Sequence, residues 1–240
     1  MIQFQCLSKF YALAFIVFVG YLPNAVNASL VRMETTMGVI DIELFDSVAP
    51  ITVANFKNYV NDGDYIDSFF HRSVPGFILQ GGGYRFANNA YSLVPKDAPI
   101  VNEYNLSNVR GTLAMAKLGS GPDTATSEWF VNLADNSANL DAQNGGFTVF
   151  GQIVGNGMDV IDAIAALPRY DISVIHSAFT TVPLNGYNGV YDPATQLVRI
   201  TAVSAVPVPA AVWLFLSGML GLVSVARRRV DTEGSQLPGR

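Results

Sequence analysis

Between residues 29 and 206 apolar residues recur at helical spacing in only two stretches, and that scarcity restricts the fold more than any other feature of the chain. In the first, Val53, Phe56 and Val60 share a face; Asp46-Ser47 with Pro50 opens the helix and Asn61-Asp62-Gly63 stops it. In the second, Gly157-Met158 leads a stripe of Val160, Ile161, Ile164 and Leu167, and Pro168 ends it. Elsewhere the apolar runs are short and set off by turn residues. Ser29 to Phe45 alternates about Met37-Gly38 and reads as a hairpin. Short strands are expected around Pro75-Gly76, at Gly111 to Met115, at Trp129 to Leu133 and at Phe147 to Val154. Gln196 to Val206 alternates again and can close a sheet, whereas 169–195 is rich in loop residues. Many short strands with two helices predict a β-barrel or a sandwich.

The two ends are of another kind. Residues 1–28 read as a secretory signal: Lys9, an apolar run of about 13 residues from Phe10, and Val26-Asn27-Ala28 before Ser29. Near the other end, Ala210 to Ala226 runs 17 residues without a charge, and Arg227, Arg228 and Arg229 follow. As a helix that run spans ~25 Å, enough for a thin bilayer, and the arginines hold the end beyond it in the cytoplasm. The stretch VPAAVWLF, a glycine-containing span and an arginine cluster resemble a PEP-CTERM sorting signal. That resemblance implies processing by an exosortase-type enzyme and placement at the surface of a Gram-negative bacterium. Eleven residues follow the arginines, where such signals usually stop. The chain therefore divides into a signal peptide (1–28), one domain (29–206), a sorting signal (207–229) with a transmembrane helix (210–226), and a short cytoplasmic tail (230–240).

Charge and residue usage narrow the chemistry. Of 14 basic and 19 acidic residues, Lys9 lies in the leader, and four arginines, Asp231 and Glu233 lie beyond 206. The domain keeps 9 basic and 17 acidic residues, a balance of −8 with no basic run, which argues against nucleic acid. The one cysteine, Cys6, lies in the leader, so the domain has no thiol chemistry and no disulfide. No cluster of His, Cys or carboxylate suggests a metal or a general base, and no cofactor is expected. A monomeric domain is expected.

FFHRSVPGFILQGGG, residues 69–83, sets a permanent cation, Arg72, among Phe69, Phe70, Val74, Phe77, Ile78 and Leu79. Phe70-His71-Arg72, Pro75-Gly76-Phe77 and Gln80-Gly81-Gly82 resemble the signature of cyclophilin-type peptidyl-prolyl isomerases. Gly111 to Ala116, Ser127-Glu128-Trp129-Phe130, Leu140-Asp141, Phe150-Gly151 and Gly157 to Val160 continue that pattern in order over about 31–204. The resemblance implies a closed eight-stranded antiparallel β-barrel capped by two α-helices, acting on X–Pro bonds of proline-containing polypeptides. It implies Arg72 as catalytic donor, Phe77 and Phe130 as the floor of a proline pocket, and Met115 and Leu140 as its lining. Gln80 would donate to the substrate backbone, Ala116 would lie along the peptide groove, and Ile78 and Glu128 would border it. His71 reads as a hydrogen-bonded structural histidine, and the glycines after Gln80 as a turn or close packing.

Several positions leave the pattern. Glu128 stands where the family usually has glutamine, and can pair with Arg72 to steady or restrain it. Lys117 stands where asparagine is common, Phe147 where a histidine is found, and Asn139 where many eukaryotic members carry tryptophan. Three functions follow: an exported, membrane-tethered prolyl isomerase assisting folding, a tethered proline-peptide-binding module with weak catalysis, or a structural surface or matrix protein that borrows the barrel.

Overall fold

A computed structural model describes residues 29–206. The signal peptide, the sorting signal with its span and the tail lie outside the described residues. Among the described residues no helix is long and apolar enough to cross a membrane.

Alternation produces the first hairpin. β1 (Ser29–Thr35) and β2 (Gly38–Leu44) pair in register from Ser29 with Leu44 to Thr35 with Gly38. Val31, Met33, Ile40, Ile42 and Leu44 are buried on one face, and Arg32 and Asp41 form an ion pair on the other. The turn is Thr36-Met37, one residue earlier than the sequence suggests, and Gly38 opens β2 at φ +139°.

Helix α1 (Pro50–Asn61) spans the residues expected, but its cap comes from elsewhere. Asp46 binds Ser29 and Lys57 instead. The carboxylate of Glu103 accepts from the backbone N–H groups of Ile51 and Thr52 at 3.1 and 2.7 Å. A carboxylate there satisfies two orphan donors and meets the positive end of the helix dipole.

The remaining strands are short: β3 (Arg72–Val74), β4 (Ile78–Gly81), β5 (Tyr84–Ala87), β6 (Ala90–Leu93), β7 (Thr112–Met115), β8 (Trp129–Asn132), β9 (Val149–Val154), β10 (Arg169–Tyr170), β11 (Val182–Pro183) and β12 (Ile200–Val206). Eight form one curled antiparallel sheet in the order β12-β1-β2-β9-β7-β8-β4-β3. The fold is thus mainly β, but its end strands β12 and β3 are not paired with each other, unlike in the closed barrel expected. The segment before β3 bridges the gap to the start of β12 and the residues before it: Asp67 N–H donates to Ile200 O, Ile200 N–H to Ser68 O, and Phe70 N–H to Val198 O.

The main core lies against one face of this sheet. It takes Val53, Phe56, Tyr59 and Val60 from α1, and Ile161 and Ile164 from α3 (Gly157–Ala165), as the helical stripes predict. Two one-turn helices complete the set: α2 (Ser137–Leu140) and α4 (Pro193–Gln196).

Two features were not read from the sequence. β5 and β6 form a hairpin whose turn, Asn88-Asn89, has φ of 51° and 61°. Asparagine tolerates that left-handed conformation, so the Asn-Asn pair was a legible turn signal. The loop-rich 169–195 stretch also builds a second core, in which Phe179, Val182 and Leu184 pack with Phe69, Phe86 and Leu197.

Candidate active site

Pairing register aligns the candidate residues. Arg72 opposes Gln80 across β3 and β4, Gln80 opposes Phe130 across β4 and β8, and Phe130 opposes Ala114 across β8 and β7. Side chains directly opposite one another project from the same face. One row therefore crosses four strands, from a cation through an amide to an aromatic ring. This face is the one turned away from the main core. Ile78, Ala114, Phe130, Leu140 and Val149 form a small apolar cluster there, with Phe77, Ala116, Phe147 and Phe45 half-buried around it.

Phe77 sits in the β3–β4 turn after Gly76, which has φ +70°. Its carbonyl accepts from Leu133 N–H at 2.9 Å and from Asn136 Nδ2 at 2.8 Å. Asn136 also donates to Asn132 Oδ1, Asn132 to Asn108 Oδ1, and Asn108 to the carbonyl of Phe147. These buried asparagines hold the backbones of both Phe77 and Phe147. Sequence reasoning missed them because an isolated asparagine in or beside a strand has no periodic signature. Leu140 reaches the cluster from α2, and Phe147 packs against Phe130 with ring centroids 5.8 Å apart at 70°.

Met115 does not join them. It pairs with Trp129, one residue along from Ala114 and Phe130, so the alternation turns it to the other face. It is 2% exposed within the main core. The expectation that Met115 lines the pocket is corrected by that one-residue step, and Ala114 takes the place beside Phe130.

The polar end of the row is a connected network. Arg72 Nη1 lies 3.4 Å from Gln80 Oε1, and Gln80 Nε2 donates to Glu128 Oε2 at 2.9 Å. Glu128 therefore does not pair with Arg72; Gln80 stands between them. Arginine only donates and an ionised carboxylate only accepts, so these two neighbours fix which end of the Gln80 amide faces each. No carboxylate pairs with Arg72 among the described residues, and burial alone draws its pKa down from the ordinary arginine value. Burial pushes the Glu128 carboxyl up, but His71, Lys96 and the Gln80 amide outweigh it and hold the group below its ordinary value.

His71 is 2% exposed, with Nε2 3.6 Å from Glu128 Oε2. That is longer than a hydrogen bond. Its Nδ1 has no hydrogen-bond partner among the described residues. The expected hydrogen-bonded histidine is instead a packed one, edge-on to Tyr84 with ring centroids 4.9 Å apart. Gly82 shows why the glycines follow Gln80. Its φ is +78°, and a Cβ there would lie 2.5 Å from Ser127 O and 2.7 Å from Trp129 Nε1.

A concavity of about 750 Å³ runs beside α1 past Pro50, Ile51, Ala54 and Ile100. Asp97 is its one charged residue, so it offers no cation. What singles out the sheet face is a fixed cation beside an aromatic floor. No group of three or more His, Cys, Asp or Glu side chains could hold a metal among the described residues.

Comparison with known proteins gives a consistent result. A family model described as cyclophilin type peptidyl-prolyl cis-trans isomerase/CLD matches residues 30–182. A peptidyl-prolyl cis-trans isomerase of Acinetobacter baylyi is 43% identical over 148 residues, covering 60% of this chain and 76% of that protein. Peptidyl-prolyl cis-trans isomerase B of Escherichia coli is 42% identical over 141 residues, covering 56% and 83%. A crystal structure of a cyclophilin type peptidyl-prolyl cis-trans isomerase from Cryptosporidium parvum matches in fold, with a TM-score of 0.56 at 22% identity over 76% of this chain and 99% of that one.

Proposed function

This chain belongs to the cyclophilin-type peptidyl-prolyl cis-trans isomerases, and from that premise we propose that Arg72 is its catalytic donor and that it works on exported proteins. The carrying observation is the half-buried Arg72, without a carboxylate partner among the described residues, at the end of a row that leads through Gln80 to Phe130.

An X–Pro bond turns slowly because amide resonance sets a barrier of roughly 18–20 kcal/mol. As the bond twists, resonance is lost and the proline nitrogen regains a lone pair. A donor aimed at that nitrogen stabilises the twisted state and hardly touches the planar one, which is the differential binding that lowers a barrier. A guanidinium on a rigid strand supplies such a donor without moving a proton. Neither nucleophile nor base is required.

The other residues take positional roles. The proline ring rests on Phe130, with Phe77, Leu140, Ile78 and Phe147 around it. Gln80 gives one N–H to Glu128, leaving its other N–H for a peptide carbonyl. Ala116, whose N–H donates to Glu128 O at 2.9 Å, borders the path of the peptide. Glu128 acts on the reaction through Gln80.

The place of action is read from the chain ends. A leader over 1–28 and an apolar span over 210–226 followed by three arginines support export, anchoring and exosortase-type processing. The clients are then proline-containing polypeptides of the periplasm or cell surface.

The deciding experiment measures cis-to-trans rates of a proline tetrapeptide with residues 29–206 and with Arg72→Ala. We expect acceleration by the first and a loss of about 100-fold or more in the second, the scale of removing one preorganised donor. A folded wild type that binds the peptide without accelerating it would leave the weakly catalytic binding module, with Glu128 in place of glutamine as its physical basis.

A further inference from the structure

We propose that Lys117 is a positioning residue for the proline pocket: it clamps the loop of residues 141–146 so that Phe147 is held against Phe130. This rests on the reading of Phe130 as the floor of that pocket.

The Lys117 ammonium donates to Asn144 O at 2.7 Å and to Gly146 O at 2.5 Å. It also stands 4.9 Å from the centroid of the Phe147 ring. Two carbonyls and one aromatic face thus converge on a single cation, a combination of charge-assisted hydrogen bonds and a cation–π contact. Burial lowers the Lys117 pKa, with Asp123 opposing, so the ammonium gives up part of its hydration here.

The loop needs such a clamp. Asn144, Gly145 and Gly146 have φ of 48°, 77° and 76°, three successive residues in the left-handed region. Glycine takes such a path freely and asparagine tolerates it, so what fixes this conformation among the many open to two glycines is the set of bonds its surroundings make. Other bonds act on the same loop: Asn108 donates its backbone N–H and its Nδ2 to Asp141 Oδ1. Asn102 Nδ2 donates to Gly145 O and Gly146 O, and Asn144 Nδ2 donates to Leu118 O and Gly121 O. Lys117 alone among these residues touches both the loop and the aromatic ring that follows it. Two of the departures from the family pattern, Lys117 and Phe147, are in contact with each other.

Neither Arg72 nor Gln80 bonds to this loop. Loosening it should therefore weaken the hold on the proline ring and leave the donor chemistry in place. The test uses the full-length chain in mild detergent with a chromogenic proline tetrapeptide, after circular dichroism shows each variant folded. Lys117→Met keeps the apolar stem; we expect KM to rise about five-fold with kcat within about two-fold. Lys117→Arg should bring KM back to within about two-fold of wild type, since it restores charge and donors. In a Phe147→Ala background, Lys117→Met should change KM by less than about 1.5-fold, because the residue it acts through is gone.

A folded Lys117→Met with unchanged KM would overturn the proposal, as would effects of the two substitutions that simply multiply. Should Lys117→Met not fold, Lys117→Gln carries the same comparison. A wild type with no activity, or with activity indifferent to Arg72→Ala, would instead overturn the reading of the pocket. An active, Arg72-dependent enzyme whose KM ignores Lys117 overturns only the clamp.

Discussion

The two faces of strand β8 do opposite work. Trp129 and Val131 point into the main core, with exposures of 1% and 0%. Phe130, between them, points the other way and lies in line with Gln80 and Arg72. Only the two-residue period of a strand separates a structural position from a functional one. On the core face what matters is volume and closeness of fit. On the other face it is the identity of single groups, a guanidinium, an amide and a ring, each held from behind. Substitutions on the two faces should therefore report in different measurements, stability on one and rate on the other.

The sharpest way to break this division is at its neighbouring members. Trp129→Ala should cost about 3–5 kcal/mol of stability, read from denaturant unfolding, because it empties a large volume in a close-packed core. Arg72→Ala should lose about 100-fold or more in kcat/KM while its unfolding free energy stays within about 0.5 kcal/mol. If Arg72→Ala proved as destabilising as a core deletion, the division would fail.

Met115 sharpens the comparison, because its motif suggested one face and its register gives the other. Met115→Leu should cost less than about 1.5 kcal/mol in stability, as volume-conserving core exchanges do. Its KM should stay at the wild-type value, and a marked rise would return Met115 to the pocket.

Glu128 tests the boundary between the faces with the smallest effect. Its folded pKa lies below its ordinary value of 4.5, so the folded chain holds fewer protons than the unfolded one as pH falls through that window. The stability it contributes is then present above pH 4.5 and lost as pH drops through the lowered folded value. The thermal midpoint of wild type minus that of Glu128→Gln should be largest near neutrality and shrink below pH 4.5. A difference that grew on acidification would reverse the assignment.

What could be read from the sequence follows the same split. Alternation located β1 and β2 to within a residue at their turn, and helical spacing found α1 and α3, because each buries one regular face. The short strands β3, β4, β7 and β8 have three or four residues each. Periodicity alone cannot orient runs so short, and the motif that offered Met115 to the pocket does not carry the register that turns it to the core. Arg72, Phe77, Gln80 and Phe130 were legible as a motif, not as a pattern. The groups that hold them were not: Asn108, Asn132 and Asn136 act through side-chain bonds between separate segments, and Glu103 caps a helix about 50 positions upstream. The aromatic core under 169–195 stayed hidden because its members come from several segments with no common period.

The pairing of Leu30 with Val206 across β1 and β12 also has a meaning in time. β1 is among the first parts of the domain to be synthesised, and one of its two partners is the last. At synthesis rates of about 5–20 residues per second, β1 waits roughly 10–35 s for that partner. Until then β1 has β2 alone to pair with, and that hairpin stays a lone, marginal one until β9 is made and joins β2. The domain thus completes its sheet only after its whole length has been made, so the strand begun first is the one secured last.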